Sequence, residues 1–464
     1  MIEQSCKFLL IIRLTLIFAY ISSLPLLGAL GVLAVQFPRQ HSGVMDRQAD
    51  ARYRGRMKLK RLPEDFRVEE LPIVQGGDRG RFAFYRLWKR DLGTFEALEA
   101  IRRRWNIPAD RISYGGLKDR HAETIQYLTI VEGPNRPLRE TNLELEPLGF
   151  LPHPYGPKFF RGNRFEIVIR DLSDNAADRA AHAVAGIDRD GLPNYFDDQR
   201  FGSLGAAGAF IGEAWLKGEH EEALRLAIAE PTQSDRPDAR DEKAILREHW
   251  GNWAEAKAQL PRSHSRSLVT YLADHPTDFR GAFARVRRDL RSIYFSAFQS
   301  HLWNLALGSL IESRTRPDQR ITIPFRAAPL PLHHDLDAVQ AADLRGRVIP
   351  LPSSRTPGDA LGENRDLLMS IVAGRGLTWE ALRVRHLKDV FFSKGDRPAL
   401  FFPSGISHSV RPDEHYHRRK KLAMAFELPK GAYATLVVKR CAMLGDPNFS
   451  APDELPEADD PDLA

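Results

Sequence analysis

The chain has 464 residues, 43% of them hydrophobic and 28% charged, which excludes a disordered or fibrous protein and fits roughly two or three globular domains. Its two cysteines, Cys6 and Cys441, exclude a disulfide framework and a cysteine-based zinc cluster, and they suit a reducing compartment. The net charge is +6, but the last sixteen residues hold six acids and no base, so the remainder carries +12, and a body that basic favours polyanions, nucleic acid being the commonest.

In chain order, the first feature is residues 14–37, LTLIFAYISSLPLLGALGVLAVQF, an uncharged run long enough to span a bilayer. Lys7 and Arg13 flank one side and Arg39, Arg47, Arg52, Arg54 and Arg56 the other, which would leave the body cytoplasmic. Three readings stand: a start at Met45 or Met57 with the run not expressed, an inner-membrane tether, or a signal peptide. The run is long for a signal peptide, and a body with two cysteines does not look secreted. Globular patterning begins at Met57. Residues 57–72, MKLKRLPEDFRVEELP, read as an edge strand broken by prolines, with Phe66 and Val68 alternating with charge. A helix is expected from Thr94, its cap, to about Trp105, with Phe95, Leu98, Ile101 and Trp105 on one face and Pro108 stopping it. The stretch GGLKDRHAETIQ (115–126) follows, leading into a strand TIQYLTIVE. A further strand is RFEIVIRDL, in which Phe165, Ile167 and Ile169 alternate, and a helix covers 174–186.

After NYFDDQRFGS comes a long helical stretch, about 206–310, then a proline-rich region of loops and short strands over 316–360. HYHRRKKLAMAFELPKGAYATLVVKRCAML reads as a basic loop and two strands, and the acidic tail, 446–464, as disordered. No internal repeat is present. Strands at both ends and helices between them predict an α+β fold with a helical insertion.

Four stretches combine a glycine or proline turn with an aromatic ring and a charge: Lys60 to Phe66, the Gly-Gly-Leu-Lys-Asp turn, Asn194 to Gly202, and Phe426 to Thr435. Singly, each has a plain reading. Phe66 and Phe426 could be core, Asp119 a turn-stabilising carboxylate, Asn194 a cap and Arg200 a surface cation. Together, in order, they resemble the TruD family of tRNA pseudouridine synthases over roughly residues 57–440. Its opening Lys-x-x-Pro-x-Asp-Phe-x-Val-x-Glu is matched by Lys60, Pro63, Asp65, Phe66, Val68 and Glu70, the glutamate falling at Glu69 in some readings. Its Gly-x-Lys-Asp with a later Thr-x-Gln is matched by Gly116, Lys118, Asp119, Thr124 and Gln126. Its Asn-Tyr-Phe-Gly-x-Gln-Arg-Phe-Gly is matched from Asn194 to Gly202 except at Asp197. A Ser-x-x-Gln-Ser helix is matched by Ser296, shifted, with Gln299, Ser300 and Asn304, and the closing Phe-x-Leu-Pro-x-Gly-x-Tyr-Ala-Thr begins at Phe426. If position 197 requires a left-handed backbone, aspartate tolerates it better than most residues, at a small local cost. The stretch 131–193 is longer than the family minimum.

The resemblance implies isomerisation of uridine to pseudouridine in tRNA, at position 13. The N1–C1′ bond breaks and C5 joins C1′, which calls for neither redox cofactor nor metal. Asp119 is then the nucleophile. A free aspartate titrates near 3.9, burial raises that value, and a cation opposes the rise. Adjacent side chains diverge in an extended turn, which points to Lys60 as the partner and leaves Lys118 for phosphate. By the same resemblance Phe66, Asn194 and Phe426 line the uridine pocket, Asn194 reading polar edges, and Phe196 stands where related synthases stack a tyrosine. Arg102, Arg103, Arg104, Arg200 and the run 415–421, with Lys420, are candidate phosphate contacts.

The glycine-rich 202–212 lacks Rossmann and P-loop spacing, and the His333-His334 and His415-x-His417 pairs have no supporting ligands. The expected architecture is a pseudouridine synthase-type domain with a mixed, mainly antiparallel sheet, built from 57–215 and 400–445. A mostly helical TRUD domain, 216–399, is inserted and forms the other wall of an RNA cleft, and 1–56 is leader and basic linker. A cytoplasmic monomer is expected. Two rivals are an RNA-binding protein of the same fold without turnover, against which the intact Lys60, Asp119 and Asn194 set argues, and a synthase acting on another RNA.

Overall fold

Period-two burial carries most of the first half of the chain. In the computed structural model, which describes residues 57–205, 208–232 and 235–446, these alternating segments form one ten-stranded sheet. The apolar leader and all but Asp446 of the acidic tail lie outside the described residues.

The strands of this sheet are β1 (Lys58–Leu59), β2 (Phe66–Pro72), β3 (Phe82–Arg90), β4 (Ile112–Tyr114), β5 (Glu123–Val131), β6 (Leu138–Glu140), β7 (Leu143–Leu151), β8 (Phe160–Leu172), β9 (Ser404–Pro412) and β10 (Lys420–Pro429). Their order is β9-β10-β8-β2-β5-β3-β7-β6, with β1 beside β8 and β4 beside β5. Every pairing is antiparallel except β2 with β5, so the sheet is mixed and mainly antiparallel. The expected edge strand is therefore central: β2 lies between β8 and β5. Its prolines do not break it, because Pro63 sits in the 3-10 turn before it and Pro72 is its last residue.

β3 shows why the sheet is covered on both faces. Ala83, Tyr85 and Leu87 pack with Ala97, Leu98 and Ile101 of the Thr94–Trp105 helix, while Phe84 packs with Tyr127, Leu151, Tyr155 and Phe160 on the other side. The helix ends at Asn106, whose left-handed backbone (φ 53°) caps it before Pro108 is reached. Gly93 precedes the helix as its cap, so Thr94 is free for another task described below. The Asp174–Ala185 helix packs against a second helix, Ala434–Gly445, where Arg440 Nε donates to Ala183 O at 3.1 Å. That second helix replaces an expected strand. Its β-branched Thr435, Val437 and Val438 favour extended structure, but burial of Leu436, Val437, Cys441 and Ala442 on one another's turn decides for helix.

Contacts divide the chain into two compact units, one ending at Asp188 and resuming at Phe402, the other Arg189–Phe401. The second begins well before residue 216, because Leu192 and Pro193 pair antiparallel with Phe401 and Leu400, and Asn194 N–H donates to Ala399 O at 2.8 Å. The expected helical stretch resolves into seven helices among the described residues of 206–314, the last being Arg288–Arg314. Sixteen of that helix's 27 residues are buried, which makes it the axis of its unit rather than a surface helix. A hairpin, Arg320–Pro324 with Pro329–His333, and a longer-range antiparallel pair, Val348–Pro350 with Asp396–Pro398, also belong to the unit. No helix among the described residues is long and apolar enough to cross a membrane.

Gly162 lies where β8 meets β10, and a Cβ there would stand 2.1 Å from Leu428 O. Gly162→Ala is expected to destabilise the sheet by about 1–3 kcal/mol through overpacking, read as a lowered urea midpoint.

Candidate active site

The Gly115–Asp119 turn joins β4 to β5, and five side chains from five places in the sheet unit hold it. Gln126 Nε2 on β5 donates to Gly116 O at 3.3 Å. Thr94 Oγ1, at the helix start, accepts from Lys118 N–H at 3.0 Å and contacts Gln126 Oε1 at 3.0 Å. Lys89 Nζ on β3 donates to Asp119 O at 2.7 Å and to Leu92 O at 2.6 Å. Glu70 of β2 takes the ammonium of Lys118 at 2.9 Å, and Lys60 reaches Asp119 itself. The turn is tight for a steric reason: a Cβ on Gly115 would lie 2.8 Å from Glu70 Oε1. Neither Gly115 nor Gly116 has a positive φ, so closeness to Glu70, not backbone handedness, requires the first glycine.

Lys60 Nζ donates to Asp119 Oδ2 at 2.8 Å. The lysine is nearly buried, whereas the aspartate side chain is 38% exposed. The Lys60 ammonium lies 4.1 Å from the Phe66 ring centroid, so it is held between an aromatic face and a carboxylate. Lys60 itself has φ 51°, a left-handed backbone that turns the chain out of β1. The next turn is clamped by buried Asp65, which accepts from Leu62 N–H at 3.1 Å and pairs with Arg170 at 2.8 Å. Lys60 holds the Asp119 carboxyl below its ordinary value, against burial, which pushes it up; Lys89 and Lys118 add to the lowering. Asp119 is therefore ionised at neutral pH.

Lys118 is not where the sequence reading puts it. Its ammonium turns inward onto the fully buried Glu70 instead of outward to phosphate, because Glu70 would otherwise be an unpaired buried charge. Glu70 is completed by Tyr155 OH at 2.9 Å and Tyr127 N–H at 3.3 Å. Burial, and then Glu70, push the Tyr155 phenol well above its usual range, so it stays a donor. The motif glutamate is thus Glu70, while Glu69 lies on the more exposed side of β2.

Phe66 and Phe426 are both buried in the sheet face, on either side of Phe165, at 6.2 Å edge-on and 5.6 Å stacked. Phe66 reaches the Lys60–Asp119 pair, while Phe426 is 1% exposed and supports Phe165. Of the expected phosphate contacts, Arg102 is engaged by Glu99 at 2.5 Å and by Ile107 O, whereas Arg103 is mostly exposed. Arg104 is exposed as well. In the basic run, Arg419 binds Asp171 and Lys421 binds Glu414, and Lys420 has only a 3.7 Å approach to Asp174.

In the second unit, Asn194 is occupied by its own backbone surroundings. Its Nδ2 donates to Pro398 O at 3.0 Å, and Arg397 donates to its Oδ1 at 2.6 Å and to its carbonyl at 2.7 Å. Its amide thus holds the Asp396–Pro398 strand, a structural duty that the motif did not reveal. Phe196 is half-buried and bracketed by Asn304, which exchanges two 2.8 Å hydrogen bonds with its backbone. The Arg397 guanidinium lies 4.2 Å from the Phe196 ring and Arg200 5.6 Å from it, with Trp303 edge-on at 5.6 Å. Arg200 is exposed and donates to Ser300 Oγ at 3.2 Å. Asp197 has φ −87°, an extended backbone, so no glycine is needed there and the anticipated cost does not arise. Gln299 donates to Pro352 O and Ser393 O, so the Ser-x-x-Gln-Ser helix secures loops.

Sequence reasoning missed Lys89, Tyr155, Arg397 and the duty of Thr94. Lys89 had a readable signal: it continues the buried phase Ala83, Tyr85, Leu87 along β3. Tyr155 and Arg397 had none, since their partners are distant in sequence. Among the described residues no cluster of three or more His, Cys, Asp or Glu is arranged to hold a metal ion. Buried His333 Nε2 contacts Asp190 O at 3.0 Å.

The model of the TruD family, tRNA pseudouridine synthase D, matches residues 52–441. The chain belongs to the TruD family. It is 29% identical over 394 residues to the "Probable tRNA pseudouridine synthase D 1" of Methanococcus maripaludis, covering 83% of this chain and 99% of that one. It is 28% identical over 392 residues to the "tRNA pseudouridine synthase D" of Aquifex aeolicus, covering 83% and 97%. A crystal structure of the putative tRNA pseudouridine synthase D of Methanosarcina mazei superposes with a TM-score of 0.67 at 24% identity, covering 84% of this chain and 94% of that one, and so shares its fold.

Glu70→Ala would leave the Lys118 ammonium buried without a counter-ion. The expected loss is about 3–5 kcal/mol of stability, measured by urea unfolding of the variant beside the parent.

Proposed function

We propose that this chain isomerises uridine to pseudouridine in tRNA, at position 13, with Asp119 as nucleophile and Lys60 as its counter-ion. The observation that carries the reading is the state of Asp119. One oxygen, Oδ2, is anchored by Lys60, while Oδ1 accepts no hydrogen bond from the described residues and the side chain is open to solvent. The carboxylate is ionised, oriented and accessible, as a nucleophile must be. Membership of the TruD family and the names of its relatives support the tRNA substrate and the reaction. Position 13 follows from the motif resemblance. Arg103 and Arg200, both exposed, are the phosphate contacts proposed in their respective units. Phe66, whose ring lies beside the Lys60–Asp119 pair, is proposed to pack against the nucleoside.

The test is to incubate the protein and its Asp119→Asn variant with unmodified tRNA bearing U13, then map pseudouridine by carbodiimide adducts and primer extension. The parent is expected to give a stop at position 13, and the variant to lose roughly a thousandfold or more of the rate. Turnover by both would make Asp119 structural. Turnover by neither, with tight salt-sensitive binding, would point to a binding protein or another RNA.

Lys60→Met supplies a pH test. With Lys60, the depressed Asp119 stays charged through pH 5–7, so the carboxylate is lost only below its ordinary value of about 3.8. Without Lys60, burial acts with less opposition and the carboxyl titrates higher. The acid limb of kcat should therefore move upward in Lys60→Met, read from single-turnover rates across that range.

A further inference from the structure

Lys89 is 0% exposed and lies within the sheet, and the proposed reaction gives it no contact with the substrate. Its ammonium does not pair directly with a carboxylate. It is spent on backbone carbonyls: Leu92 O at 2.6 Å, Asp119 O at 2.7 Å and Lys118 O at 3.4 Å. A buried lysine held only by carbonyls is costly to retain, and a neutral side chain of similar volume would fill the same space. Two of those three carbonyls belong to the residues that present the nucleophile.

We propose that Lys89 is a positioning residue for this reaction: its ammonium fixes the backbone of the Lys118–Asp119 turn and adds positive field at the Asp119 carboxylate. The inference rests on Asp119 being the nucleophile. The carbonyl contacts set where Cα of Asp119 sits, and Lys60 sets where its Oδ2 points, so the reactive oxygen is held at both ends. A shift of about 1 Å at such a group can lose roughly a hundredfold in rate.

The charges that face Lys89 are Glu96 on the adjoining helix and Lys118, Asp119 and Arg120 on the turn. Burial pushes the amine down to about 8, with Lys118 and Arg120 acting in the same direction and Asp119 and Glu96 against it. Near pH 8 the ammonium therefore loses a proton, and with it one donor and its charge. The sign for stability is opposite. The unfolded lysine titrates at its ordinary 10.5, so between about 8 and 10.5 the unfolded chain holds more protons, and this group's contribution to stability rises with pH. A positioning role lowers kcat through a window in which a purely structural role would only raise stability.

The experiment measures kcat and KM for tRNA from about pH 6 to 9.5, with urea unfolding at each pH, for the parent, Lys89→Met, Lys89→Arg and Asp119→Asn. The parent should show an alkaline limb in kcat near pH 8, with KM steady and stability not falling. Lys89→Met should lower kcat roughly a hundredfold, leave KM within about threefold, and abolish the limb. Lys89→Arg should restore part of kcat and move the limb above the range. Parent-level kcat in folded Lys89→Met overturns the proposal. If that variant does not fold, a parent kcat that stays level to about pH 9.5 overturns it instead. Loss of turnover in Asp119→Asn together with either of those results leaves the nucleophile reading standing and removes only the role of Lys89; turnover in Asp119→Asn removes both.

Discussion

In the sheet unit, a carboxylate is kept charged beside an aromatic ring by one buried lysine. Burial alone would push Asp119 toward its neutral form, and Lys60 reverses that from 2.8 Å. The ion pair is not an isolated surface contact. Lys60 is carried by a left-handed residue between β1 and a turn that buried Asp65 and Arg170 clamp, and Phe66 closes over its ammonium. The motif that reads Lys-x-x-Pro-x-Asp-Phe is one device for aiming a cation.

Three lysines surround the Asp119 turn, and each is used differently. Lys60 meets the carboxylate, Lys118 neutralises Glu70, and Lys89 holds carbonyls. Their separation follows from strand geometry. β2 and β5 run parallel only as far as Glu69 and Ile125, and past that point the Glu70 carboxylate takes Tyr127 N–H in place of a ladder partner. That leaves Glu70 in the interior with a net charge to satisfy, and Lys118 is the cation within reach. The lysine adjacent in sequence to Asp119 thus serves the scaffold.

The second unit applies the same economy of polar groups to its axis helix. Gln299, Ser300 and Asn304 are buried on Arg288–Arg314, and each finds backbone or side-chain partners on loops that would otherwise be irregular. Asn304 holds Phe196 by both its amide groups, and Arg397 lies over the ring while gripping Asn194. Asn194, Phe196 and Arg397 form one packed group, in which the asparagine is a structural member.

The sequence by itself determined the kind of elements and the chemistry at stake. Alternation at Phe66 and Val68 and over 165–169 pointed to strands, the order of the motifs pointed to the family, and the divergence of adjacent side chains in a turn pointed to Lys60 as the partner of Asp119, whereas the strand that carries Lys89 went unread. Tertiary structure alone decided what those patterns leave open. β2 is central and Ala434–Gly445 is a helix because burial against neighbours outweighs local preference. Lys118 faces inward and Lys89 reaches the turn because charges and donors in a buried sheet must be satisfied by whatever strands lie beside them. Those neighbours come from positions up to dozens of residues away, and no local pattern encodes them.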